Sequence, residues 1–353
     1  MRIAQLAPLF ERVPPVGYGG TERVVSYLTE ALVAMGHEVT LFASADSLTS
    51  AELVPCAPEA LRLSRRALDP VALHLLEAEM LLRRAGDFDL VHNHVDYLYL
   101  PFARRCARPA LTTLHGRLDY ECLAAVLREY REQWVVSISH AQRAPLPRLR
   151  WAGTVHHGLP RDLYEFQATP GRYLAFLGRI SPEKRVDRAI EIAARSGLPL
   201  KIAAKVDPAD AAYFRDVIRP LLDHPLVEFI GEVTDRDKGA LLGGAAALLF
   251  PIDWPEPFGI AMIEALACGT PVIAWRHGSV PEVIEHGVSG FLCEDLVSAV
   301  HAVHKLDALD RADCRRAFES RFTAERMARD YLDVYADVVE SSTAGGPVAR
   351  LAS

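Results

Sequence analysis

Short continuous apolar runs alternate along this chain with longer stretches whose apolar residues recur at helical spacing. Arg2 to Pro8 is the first run and reads as a strand. After the loop ERVPPVGYGG, Thr21 can cap a helix from Glu22 to Met35, with Val24, Val25, Leu28, Ala31 and Leu32 on its apolar face. Gly36 ends that helix and Val39 to Phe42 forms the next strand. Strand, glycine-rich turn, helix and strand make a βαβ unit with a right-handed crossover. The alternation continues with a helical stretch Ala67 to Ala85, then strands at Phe88 to Asn93 and Pro109 to Leu114. A helix from Glu121 to Arg131 precedes the strand Trp134 to Ile138. Ser139 can cap the segment after that strand, and Gly153 to His157 closes this half.

The pattern restarts near 172. The run Arg172 to Leu177 leads into GRISPEKRVDRAIEIAARSG, where Pro182 opens a helix, Glu183 lies in its first turn and Gly197 follows its end. Strands at Leu200 to Ala204, Val227 to Gly231, Ala245 to Phe250 and Pro271 to Ala274 follow, and then helices to Val339. An alternation that restarts halfway predicts an α/β chain with two doubly wound parallel sheets. The boundary falls within 158–171.

Size and charge narrow the function. A chain of 353 residues with 50% hydrophobic and 24% charged positions is long enough for two cores. Its net charge of −7 gives no basic footprint for nucleic acid. No apolar run reaches the ~18–20 residues that cross a bilayer, and no signal peptide precedes the first strand. The six cysteines are scattered without zinc spacing and read as reduced thiols, which predicts a cytoplasmic protein without a structural metal. Lysine occurs only at 184, 201, 205, 238 and 305, so a lysine near an expected anion carries extra weight.

The candidate chemistry gathers around Phe250 to Ala274. This stretch is an apolar strand, a proline-rich turn, a helix and a second strand, with Glu256 and Glu264 eight positions apart. A strand end, the free N–H groups of a helix start and two carboxylates suit a polar small molecule that carries a phosphate. Arg179 and Lys184, on a strand end and in a first helical turn, can face its anion. GYGGT lacks the dinucleotide fingerprint GxGxxG, which argues against a nicotinamide oxidoreductase, but its glycines let backbone approach a ligand. His115, before a glycine at a strand's carboxyl end, stands where such sheets bind ligands. In HNHVDY, His92 and His94 are expected to diverge to opposite faces. One of them, with Asp96, is expected to line a crevice rather than bind metal.

YGGTERV, LHG, GRISPEK, the pair Glu256 and Glu264, GSVPEVI and GVSGF occur in this order over nearly the whole chain. Together they resemble the retaining glycosyltransferases of family four. The resemblance implies a GT-B fold, in which two Rossmann-like domains face a cleft. Residues 1–165 would bind the acceptor and 166–321 the nucleotide sugar. A helix over 322–340 would cross back to the first domain, and 341–353 would be a disordered tail. The resemblance further implies that Glu256 holds sugar hydroxyls and Glu264 the ribose diol. The N–H groups of Phe258, Gly259 and Ile260 would meet sugar and phosphate, and Arg179 and Lys184 the diphosphate. His115 would contact the donor sugar, and Gly19 and Gly20 would approach phosphate or acceptor. Where many relatives have a glycine-rich turn this chain has IAAKVDP, so Lys205 is an added candidate phosphate or base contact.

The implied reaction moves a hexose, with retained configuration and front-face attack, from a UDP-sugar (favoured over a GDP-sugar) to a hydroxyl acceptor. No metal or other cofactor is expected. The acceptor loops Glu11 to Gly20, His92 to Leu98 and Arg117 to Tyr120 suit sugars, lipids or small metabolites. Peripheral membrane contact therefore stays open, although no transmembrane segment is expected. Three alternatives remain. Paired acids also occur in glycoside hydrolases, but Arg179 and Lys184 would then have no task. A nucleotide-sugar 2-epimerase or a phosphorylase would share the fold, and a non-catalytic sugar-nucleotide sensor would share the binding site.

Overall fold

The computed structural model describes residues 1–344 apart from positions 18, 63 and 67. Tyr18 of the glycine cluster, Ala67 at the expected start of a helix and the expected tail beyond 344 lie outside the described residues. The chain forms two compact units. One comprises residues 1–158 with the C-terminal helix from Ala324, and the other runs Leu159–Thr323.

The first unit holds a parallel sheet of β1 (Arg2–Leu6), β2 (Glu38–Ser44), β3 (Glu52–Ala57), β4 (Leu90–Asn93), β5 (Ala110–Thr113), β6 (Trp134–Ser137) and β7 (Trp151–Thr154). Their order is β3-β2-β1-β4-β5-β6-β7. β3 has no counterpart among the sequence-predicted strands. It carries Pro55 and four residues that are not buried, a composition that only an edge tolerates. The helix expected from Glu22 begins at Gly20, with Gly19 as its cap and no side-chain cap. Thr21 therefore lies inside it. A Cβ on Gly19 would come within 2.8 Å of Pro15, so the turn is too tight for a serine or threonine there.

The second unit holds β8 (Leu174–Ile180), β9 (Leu200–Val206), β10 (Val227–Gly231), β11 (Ala247–Phe250), β12 (Val272–Trp275) and β13 (Gly290–Cys293), again all parallel. The order is β10-β9-β8-β11-β12-β13. Its core packs Phe176, Ile180 and Ile202 of the sheet against Val186, Ile190 and Ala193 of the helix Val186–Ser196 and Ala299 and Val303 of the helix Leu296–Val303. The helix expected to start at Pro182 is split. Pro182–Lys184 forms one 3-10 turn, Arg185 takes a left-handed φ of 54°, and the α-helix starts at Val186. Salt bridges from Arg185 to Asp187 (2.8 Å) and Asp253 (2.9 Å) hold that kink. Lys184 is thus outside the first turn of the long helix.

The last helix runs Ala324–Ala344, four residues into the stretch expected to be tail. It packs on the helix Gly20–Ala34 and against β7, with Met327, Ala328, Tyr331, Tyr335 and Val338 buried. Among the described residues, no helix is long and apolar enough to cross a membrane.

Candidate active site

Each sheet reverses its strand order between two central strands, β1 and β4 in one unit and β8 and β11 in the other. Loops leaving the carboxyl ends diverge at such a reversal and leave room for a ligand. In the second unit those loops are residues 181–185 and 251–259, which carry Lys184, Glu256, Phe258 and Gly259 of the sequence-predicted donor residues.

Arg179, near the end of β8, lies in register with Lys205 on β9, so the two side chains share a sheet face. Arg179 donates to Glu183 at 2.7 Å and lies 3.5 Å from Asp210. Lys184 ends the 3-10 turn, and its ammonium bonds the Glu256 carboxylate. The same ammonium lies 5.0 Å from the Trp254 ring and 5.5 Å from the Phe250 ring, so aromatic faces add to its stabilisation. The structure therefore brings Lys184 and Glu256 together across 72 positions of sequence, on the loops that leave β8 and β11.

Glu256 is placed by its backbone. Its N–H donates to the Trp254 carbonyl at 2.8 Å and its carbonyl accepts from the Ser279 N–H at 3.0 Å. Gly278 is pressed so close that a Cβ would stand 2.4 Å from the Glu256 nitrogen and oxygen, and its φ is 55°. Ser279 Oγ donates to the Phe258 carbonyl at 2.7 Å. The GSVPEVI motif is thus the mould for the turn that carries Glu256. Gly259, at φ 82°, closes that turn and caps the helix Ile260–Ala267. The first N–H groups of this helix have no acceptor within it and form its positive end.

Glu264, the fifth residue of that helix, is 2% exposed. Its Oε1 accepts from the Tyr164 hydroxyl at 3.1 Å and from the Lys238 ammonium at 3.0 Å. Neither partner was singled out from sequence. Lys238 belongs to a short set of lysines, which was a usable signal; Tyr164 sits in the linker stretch and gave none. Buried carboxylates are held in place by such hydrogen-bonded partners, which fixes where Glu264 can offer its second oxygen.

His115, Gly19 and Gly20 belong to the first unit. The loop after β1 is tied down where Glu22 accepts from the Glu11 N–H at 3.3 Å and Glu11 pairs with Arg62 at 3.1 Å. Burial pushes the Glu22 carboxyl up to about 7. His115 follows β5, and its N–H donates to Asp96 at 3.0 Å. Asp96 itself takes a left-handed φ of 48°, fixed by the Asn93 amide donating to its carbonyl at 2.9 Å. Burial raises the Asp96 carboxyl to about 6 and lowers His115 to about 3.

His92 and His94 do not diverge. Their rings lie 3.9 Å apart, because residues two apart on a strand share a face. His94 Nδ1 meets His115 Nε2 at 3.0 Å, and His115 stacks on His157 at 5.4 Å. His92 is closed off by the Tyr335 hydroxyl at 2.7 Å and Thr113 Oγ1 at 2.7 Å, and Thr113 in turn meets Tyr331 at 2.9 Å. Burial holds His92, His94 and His157 well below the usual histidine range. Among the described residues no three His, Cys, Asp or Glu side chains are arranged to hold a metal ion.

Known proteins place this arrangement. Residues 165–317 match the family "Glycosyl transferases group 1", and residues 18–157 match "Glycosyltransferase Family 4". The chain is 26% identical to a glycogen synthase of Mycobacterium tuberculosis, over 90% of this chain and 89% of that protein. It is 27% identical to a phosphatidyl-myo-inositol mannosyltransferase of Mycolicibacterium smegmatis, over 83% and 80%. Among solved structures, Anabaena Alr3699/HepE in complex with UDP-glucose superposes with a TM-score of 0.70 at 18% identity, covering 98% of this chain and all of that one. The motif order, the two Rossmann-like sheets and these matches agree, and the chain belongs to the group 1, family four glycosyltransferases with the GT-B fold.

Proposed function

We propose that the protein is a retaining hexosyltransferase that takes a nucleotide diphosphate sugar, UDP-linked in preference to GDP-linked, and passes its hexose to a hydroxyl acceptor. The observation that carries this reading is the Lys184–Glu256 pair on the loops leaving β8 and β11, with Arg179 and Lys205 in register beside it. Three cations at the carboxyl end of a sheet, next to a helix start, suit a diphosphate. Two separately held carboxylates suit the hydroxyl pairs at the ends of a nucleotide sugar, because each can accept paired hydrogen bonds. The UDP-glucose held by the Anabaena neighbour supports a UDP-sugar, and the glycogen synthase of the mycobacterial relative supports a glucosyl unit as the hexose.

In this reading Glu256 grips the sugar hydroxyls and keeps Lys184 aimed at the phosphates. Phe258, Gly259 and Ile260 offer N–H groups to the phosphate and sugar, and Glu264 takes the ribose. Arg179 and Lys184 neutralise the nucleotide diphosphate as it leaves. Their effect grows as the glycosidic bond stretches, which lowers the barrier and not only the dissociation constant. A donor phosphate oxygen on the same face takes the acceptor proton, so retention needs no protein nucleophile. The side-chain cations supply the charge that a metal would otherwise bring. His115, with Gly19 and Gly20, serves sugar and acceptor. The six free cysteines fit the reducing cytoplasm, where we place the protein.

Incubation with a panel of UDP- and GDP-sugars tests the reading. Slow release of free nucleotide with a sugar product of unchanged anomeric configuration is expected. An isomerised sugar would make the protein an epimerase, and saturable binding without turnover would make it a sensor.

A further inference from the structure

The histidine cluster of the first unit contains an imbalance that its own residues do not resolve. His92 has both ring nitrogens bonded, one to Tyr335 and one to Thr113. His94 and His115 share a single hydrogen bond, Nδ1 to Nε2 at 3.0 Å. The outward nitrogens, Nε2 of His94 and Nδ1 of His115, are both buried and have no hydrogen-bond partner among the described residues. Burial keeps both rings neutral, so each carries one N–H and one bare nitrogen.

The shared bond needs one donor and one acceptor, which leaves two arrangements. If His94 donates from Nδ1, His115 must carry its proton on Nδ1 as well. If His115 donates from Nε2, His94 must carry its proton on Nε2. Both rings are therefore in the same tautomer, and a change in one requires a change in the other. The Nε2–H form is the one a free imidazole side chain favours in water.

We propose that His94 is a positioning residue for His115: their shared bond ties the two rings to one tautomer, the intrinsic preference of imidazole makes that tautomer Nε2–H, and the bare Nδ1 of His115 is thereby held as the acceptor for a substrate hydroxyl. An unpaired buried acceptor is costly, and a hydroxyl donor relieves it. Neighbouring groups prevent the pair from turning away. Asp96 fixes the His115 backbone, His157 stacks on its ring, and the tilted His92 ring packs against His94 while Tyr335 and Thr113 bond the two nitrogens of His92. The identity of the hydroxyl, on donor sugar or acceptor, rests on the hexosyl-transfer reading; the tautomer does not.

Imidazole 15N shifts of the substrate-free full-length protein at neutral pH test the lock directly. His94 and His115 should both appear as Nε2–H, and an Nδ1–H signal from either ring overturns the proposal. In His94→Phe, which keeps ring volume but offers no acceptor, His115 should show both tautomers. Turnover should fall by about ten- to a hundredfold, while the donor KM moves less than about twofold. In His94→Asn the amide oxygen stands near the place of Nδ1, and turnover should return to within about threefold of wild type. A purely structural role for His94 predicts that Phe serves as well as Asn, and that result also overturns the proposal. If wild type transfers no sugar from any nucleotide donor, the hexosyl reading fails while the 15N result still decides the tautomer.

Discussion

The two units place polar side chains at the carboxyl ends of the same kind of sheet, with different electrostatics. At the reversal between β8 and β11 the groups are charged and paired: Lys184 with Glu256, Arg179 with Glu183, Lys238 with Glu264. Beside β4, at the ends of β4 and β5, they are histidines kept neutral by burial, with one carboxyl raised to about 6. Paired charges can exchange partners when a diphosphate arrives, because an incoming anion replaces the carboxylate that held the cation. Neutral rings cannot do that, but they can meet hydroxyls without a desolvation cost as large as a charge would carry. The same architecture thus carries exchangeable charge pairs in one unit and neutral, hydroxyl-compatible rings in the other.

The largest effects should come from removing charge in the second unit. Glu256→Gln and Lys184→Ala should each lower transfer by about two to three orders of magnitude while the circular dichroism spectrum stays native. Near-normal turnover in either, with a verified donor, would dissolve the contrast between the units. Next comes the mould. Gly278→Ala forces a Cβ against the Glu256 backbone at a left-handed φ, and should cost roughly tenfold or more in turnover and about 1–3 kcal/mol in stability by denaturant unfolding.

The neutral unit should reveal itself through pH. His115 titrates near 3 when folded and near 6.5 when unfolded, so below 6.5 the unfolded chain binds the extra proton. Its contribution is complete above 6.5 and fades as pH falls toward 3. The stability of wild type relative to His115→Asn should drop by about 1.4 kcal/mol per pH unit from 6.5 to 4.5. Asp96 acts in the opposite sense: its folded carboxyl titrates near 6, so its contribution is full below its ordinary range and lost as pH rises through 6. A difference curve of zero slope would mean that His115 is not neutral in the fold. The smallest effect is Lys205→Ala, expected to weaken donor binding by a few-fold in calorimetry, as for one partly exposed phosphate contact. An unchanged affinity would leave Lys205 outside the site.

Much of this was legible in the sequence because its causes are local. Short continuous apolar runs and period-3.6 patterns mark the alternating strands and helices, and Glu256, Gly259 and Glu264 lie on one continuous turn and helix. The features that escaped depend on contacts between distant segments. β3 joins the sheet through backbone pairing with β2 and carries too little apolar pattern to announce itself. The left-handed residue at Arg185 depends on Asp253, 68 positions away. Tyr164 reaches Glu264 across 100 positions, and Gly278 acts on a backbone that no local rule connects to it. That His92 and His94 share a face was readable from strand geometry alone.

The return of the chain to its first unit has a consequence for how the protein is made. Tyr331 and Tyr335, which hold Thr113 and His92, and Val334, which stands where any side chain on Gly153 would collide, belong to the last described helix of a unit whose described strands end at Thr154. On a ribosome adding 5–20 residues per second, roughly ten to thirty seconds pass between the emergence of that sheet and of its final helix. During that interval the face that receives the helix is uncovered and the histidines lack their tyrosine partners. Synthesis order thus makes the second unit the first to complete, although its sheet is encoded later, and the first unit matures only after the second has been made.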